Sequence, residues 1–94
     1  MAFRAAKKQV LDALTNGSFL HEARNEIDEK NLLSTGAITP AELIDIIKRC
    51  NGTHHSESPH HAVNSVSVNV LKKDGWYIKF YFLDPNVMFI SVHQ

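Results

Sequence analysis

The chain has 94 residues, 44% of them apolar, with ten acidic and ten basic side chains that leave no net charge when the six histidines are neutral. This composition fits a single folded domain, 1–94, with a modest core, and argues against a disordered chain. It excludes the bulk cationic field of a general nucleic-acid binder, and no apolar run approaches the roughly 20 residues of a membrane span.

Three helices are predicted in the first half, 3–51. Phe3, Ala6, Val10, Leu11 and Leu14 recur at helical spacing, and Asn16-Gly17 ends that segment as a C-cap glycine would. Ser18 is placed to cap a second helix, with Phe19, Leu20, Ala23 and Ile27 on its apolar side and a charged opposite face. The third start is the clearest. In "ITPAEL", Thr39 stands at N-cap, Pro40 at N1 and Glu42 at N3, and Ile38 and Leu43 occupy the positions of a hydrophobic staple. Leu43, Ile44, Ile46, Ile47 and Cys50 form its apolar side. Cys50 is the single cysteine, which forbids an intramolecular disulfide, and it reads as a buried thiol.

A histidine-rich loop is expected over 52–64. Its "HHSESPHH" holds His54, His55, His60 and His61. Imidazoles could bind zinc, nickel or copper there, but the spacing is not that of a zinc finger and Cys50 is not placed as a finger ligand. No metal and no cofactor is therefore assigned.

Three strands are expected over 65–93: "SVSVNVL", "WYIKFYFL" and "VMFISV", joined by the turns "KKDG" and "DPN". Helices followed by a short meander predict an α+β fold, three helices against a three-stranded antiparallel sheet. Taking both turns as three-residue loops gives a register with one wholly apolar face: Val66, Val68, Val70, Trp76, Ile78, Phe80, Phe82, Met88, Ile90 and Val92. The other face then carries Ser65, Ser67, Asn69, Tyr77, Lys79, Tyr81, Phe89, Ser91 and His93. Aromatic rings interleaved with Lys, Asn and His suit single-stranded nucleic acid, since rings stack bases, a cation meets phosphate and an amide reads a base edge.

The stretch "WYIKFYFLDPNVMFISVHQ", 76–94, and above all "YIK" followed by "VMFISV", resembles the C-terminal hairpin of MqsR-type toxins of the RelE-like superfamily. The resemblance extends more weakly back to a helix that ends before a polar loop and a strand. It implies a RelE-like fold and a metal-independent endoribonuclease that cleaves messenger RNA. The implied partners are a cognate antitoxin protein, the RNA substrate and, for a ribosome-dependent enzyme, the ribosome. Tyr77 falls at the family's catalytic tyrosine, Lys79 at the lysine of the same strand, and His93 near a terminal basic residue that is usually lysine. Asn69 falls near a family glutamine, and His60 and His61 near a polar segment. The family's lysine before that segment has no counterpart, for neither Glu57 nor His54 replaces it chemically.

The chemistry agrees with these residue types. Metal-free RNA cleavage needs a group to take the 2′-hydroxyl proton, which a histidine can do, and a cation to stabilise the phosphorane, which a lysine can supply. The expected catalytic set is Tyr77, Lys79, His93, His60 and His61, with Asn69, Tyr81, Ser67 and Ser91 contacting RNA. The alternative is a non-catalytic module or regulator on the same fold that binds protein or single-stranded nucleic acid. No signal peptide is recognised, and a cytoplasmic setting is expected.

Overall fold

The computed structural model describes residues 3–21, 31–60, 65–83 and 86–94. The first helix, α1 (Phe3–Asn16), buries Ala6, Val10, Ala13 and Leu14. It stops as the sequence predicts. Gly17 adopts φ 79°, and the Ser18 N–H reaches back to the Ala13 carbonyl at 2.9 Å, a Schellman closure. Here the chain departs from expectation. Instead of a second helix, residues Phe19–His21 form β1. Residues 22–30, which would carry most of that helix, lie outside the described residues.

A short helix, α2 (Leu32–Thr35), follows, capped by Asn31 and closed by Gly36 at φ 83°. Helix α3 (Pro40–Lys48) has the predicted capping box, with the Thr39 side chain accepting from Glu42 N–H and Glu42 returning to the Thr39 N–H. Lys7 fastens α1 to the end of α3: its ammonium donates to the carbonyls of Lys48 (2.8 Å) and Cys50 (2.9 Å). A cation is well placed at a helix C-terminus, where carbonyls lack intrahelical partners.

Among the described residues the sheet has five strands rather than three. After a 3₁₀ turn at Gly52–His54 come β2 (His55–Pro59), β3 (Ser67–Lys73), β4 (Trp76–Leu83) and β5 (Asn86–His93), in the order β1-β5-β4-β3-β2. β1 pairs parallel with β5 and the other neighbours are antiparallel, so the sheet is mixed. The fold is α+β, N-terminal helices packed on this sheet. Strand β2 lies inside the expected histidine loop. Its residues show no apolar alternation because it is a solvent-facing edge, with Pro59 at its end. β1 is too short for periodicity to reveal.

The register of the central hairpin differs from the predicted one by one residue. Lys73 pairs with Trp76, leaving only Asp74 and Gly75 in the turn. Both have positive φ, 53° and 82°, as a two-residue type I′ turn demands. The shift turns β3 over. Leu71 and Asn69 join Ile78 and Phe80 on the helix face, while Val68 and Val70 sit beside Tyr81 and Lys79 on the other. A bulge opposite Lys79 and Phe80 leaves Ile90 unpaired, so Phe89 and Val87 also face the helices.

The main core therefore joins Val10, Leu14, Leu43 and Ile47 of the helices to Leu71, Ile78, Phe80, Phe89 and Val92 of the sheet. A second, smaller cluster of Val68, Tyr81 and Ile90, flanked by Val66 and Met88, lies on the opposite face.

Open space surrounds a Cβ placed at Gly75, so any penalty there comes from the backbone alone. Gly75→Ala should lower stability by about 1–2 kcal/mol, read as a shifted denaturation midpoint with unchanged m-value. No shift would contradict the turn assignment.

Candidate RNA-binding face

The sheet face away from the helices divides into two ends. At one end the cross-strand row Leu20–Met88–Tyr81–Val68 is largely apolar. At the other, two rows are polar: Val70–Lys79–Ser91, and Lys72–Tyr77–His93. The rings of Tyr77 and His93 stack, with centroids 5.2 Å apart and planes 22° from parallel. The Lys72 ammonium lies 5.7 Å from the Tyr77 centroid, near the cation–π range. Lys79 is one same-face position along β4, about 7 Å away by strand geometry. Neither Lys72 nor Lys79 has a carboxylate partner among the described residues.

The proton position on His93 follows from its neighbour. Its Nδ1 lies 3.1 Å from the Gln94 carbonyl oxygen. A carbonyl can only accept, so Nδ1 carries the hydrogen and, in the neutral ring, Nε2 holds the free lone pair. That nitrogen is the one able to take a proton from a bound substrate.

Tyr77, Lys79, Ser91 and His93 are thus brought together as the sequence predicts. Other expected site residues go elsewhere. Asn69 is a correction: it lies on the helix face, 1% exposed, with its Oδ1 accepting from His55 Nε2 at 2.8 Å. The one-residue register shift moved it there. Ser67, opposite Pro59 at the end of β3, shares the face of Asn69 and is also off the polar end. His60 folds over the open sheet face, but at Tyr81, edge-on at 4.9 Å. Its N–H bonds to the Val66 carbonyl at 2.8 Å. Both rings are buried, so neither Tyr81 nor His60 is presented for stacking on a base. His61 lies outside the described residues.

Lys72 was not predicted. The signal that could have found it is the dipeptide Asp74-Gly75, the strongest short hairpin signature, which places Lys72 opposite Tyr77.

The remaining described histidines have structural partners. His54 Nδ1 accepts from the Asn51 N–H at 2.9 Å. His55 packs on Phe3, ring centroids 5.3 Å apart, and lies 3.9 Å from a Glu57 oxygen. No three of the described His, Cys, Asp and Glu side chains gather as a metal site would require. Cys50 is buried with its thiol 3.5 Å from the Ile46 carbonyl, and burial pushes its pKa up, away from nucleophilic use.

His21 is held by Asn31, which is fully buried. Asn31 Oδ1 accepts from the Ser34 N–H at 3.1 Å, which turns Nδ2 toward His21 Nδ1 at 3.0 Å. The amide nitrogen must donate, so Nδ1 is unprotonated. Burial lowers the His21 pKa in the same direction.

No family description, characterised protein or solved structure matches the chain.

A folded-state pKa below the unfolded value makes His21 stabilising above about pH 6.5. Below that, the unfolded chain takes up a proton that the folded chain resists, and stability falls until the folded pKa is reached. Between about pH 7.5 and 5.5, the melting temperature of His21→Gln should fall less than that of the wild type. Parallel curves would contradict the His21–Asn31 arrangement.

Proposed function

We propose that the chain is an MqsR-like toxin with a RelE-like fold: a metal-independent endoribonuclease that cleaves messenger RNA on the polar end of the open sheet face and is neutralised by a cognate antitoxin. The observation that carries this reading is the Tyr77–His93 stack, with Lys79 one position along the same face.

His93 Nε2 takes the proton from a ribose 2′-hydroxyl, whose oxygen attacks the adjacent phosphorus. The O2′–P bond forms and the P–O5′ bond breaks, giving a 2′,3′-cyclic phosphate and a 5′-hydroxyl. The proton held by His93 returns to the departing 5′-oxygen through water. Lys79 offsets the extra negative charge of the phosphorane. Tyr77 aligns the imidazole by stacking, and Ser91, opposite Lys79, offers a hydroxyl to the RNA backbone.

One observation favours a second reading, binding without cleavage. His93 is the one solvent-accessible imidazole at this end among the described residues, His60 being buried against Tyr81. A module that holds single-stranded RNA or a protein would need the lysines and rings but no second acid/base group.

Purified protein with end-labelled single-stranded RNA in excess chelator should yield fragments ending in 2′,3′-cyclic phosphate. His93→Ala should slow cleavage by about 10²–10⁴ and Lys79→Ala by about 10²–10³, with unchanged circular dichroism. Binding that depends on Lys79 without any cleavage identifies the second reading. Undiminished cleavage by His93→Ala contradicts the assigned chemistry. Induced expression should arrest growth, and co-expression of the antitoxin should relieve it.

A further inference from the structure

At the end of the central hairpin, Lys72, Lys73, Asp74, Gly75, Trp76 and Tyr77 line a groove of about 340 Å³. It is a shallow, open depression, so a bound group would lie against it rather than be enclosed. Its charges are not equivalent. Asp74 is committed to Arg49 at 3.1 Å and lies 4.0 Å from Lys73, so its carboxylate offsets one of these two cations. Lys72 has no such partner among the described residues and leans over the Tyr77 ring. On the open face the groove thus presents the Lys72 cation beside the Tyr77 ring, while Trp76, next along the strand, packs against the main core on the helix side.

The groove also continues the polar face. Lys79 and Ser91 form one row, Tyr77 and His93 the next, and the hairpin end follows. Same-face positions on a strand are about 7 Å apart, a spacing comparable with one nucleotide of extended single strand. RNA whose scissile phosphate lies at Lys79 and His93 therefore has its neighbouring nucleotide at the groove.

We infer that this groove is a flanking-nucleotide subsite: Lys72 takes the phosphate next to the scissile one, and the attached base packs beside Tyr77 on the open face. The inference rests on the RNA-binding reading of the same face and adds a specific length requirement to it. RNA that reaches the groove gains affinity that shorter RNA lacks.

The test uses RNA with a 2′-O-methyl group at every position, which cannot be cleaved by 2′-hydroxyl attack, titrated calorimetrically as a trimer and a hexamer. The wild type should bind the hexamer about tenfold more tightly than the trimer, as one added stacked and phosphate-bound nucleotide gives. Lys72→Ala should reduce that ratio to below about threefold and lower the hexamer's salt slope by about 0.7. Lys72→Arg should keep the ratio, which separates loss of charge from loss of fold. If the wild type shows the length advantage, Lys79→Ala weakens binding and Lys72→Ala leaves the advantage intact, the subsite is overturned while the RNA-binding reading stands. If the wild type binds neither oligonucleotide, both fall together.

Discussion

Asp74 and Gly75, each held at positive φ, close β3 onto β4 with no residue to spare, and most of the molecule's arrangement follows from that closure. Because side chains alternate along a strand, the length of one turn decides which half of β3 meets the helices. With two residues in the turn, Leu71 enters the main core and Lys72 comes opposite Tyr77. A three-residue turn would send Lys72 to the helix side and leave Tyr77 without its cation. The polar end of the open face therefore depends on a local backbone preference as much as on the residues that line it.

That register carries a cost, and the structure offsets it in two places. Asn69 is drawn under the helices, where an unsatisfied amide is penalised by about 1–3 kcal/mol, and His55 of the edge strand supplies its hydrogen bond. The valines of β3 leave the main core, but Val68 is buried again beside Tyr81 and Ile90. The bulge at Ile90 completes the adjustment. It lets Phe89, fully buried, pack at 5.9 Å from Phe80 on the helix side while Ser91 and His93 remain opposite Lys79 and Tyr77. One strand thus serves the core at one end and the candidate site at the other.

Legibility in the sequence followed the strength of local signals. Helices α1 and α3 were readable because capping residues and helical spacing agree there, as Gly17 and the Thr39–Glu42 box show. The pairing of Tyr77 with His93 and Lys79 with Ser91 was also readable, since it lies beyond the bulge from the second turn. The face of β3 was misread because three valines in alternation argued for the helix side, whereas turn geometry and a second cluster on the open face argued against it. β1 was misread because three residues carry no period, and its identity comes from parallel pairing with the distant β5. The histidine segment gave a compositional signal with no common purpose. His54 closes a 3₁₀ turn, His55 satisfies Asn69 and His60 covers Tyr81.

The central claim is that single-stranded RNA lies along the polar end of the open sheet face. Backbone amide shifts recorded while the uncleavable 2′-O-methyl RNA hexamer is added to labelled protein test it most directly. The account predicts that the largest changes fall at Lys72, Tyr77, Lys79, Ser91 and His93, with little change at Asn69, Leu71 and the α1–α3 contact. Changes concentrated on the helix side or at the β2 edge, or none at saturating oligonucleotide, would contradict it.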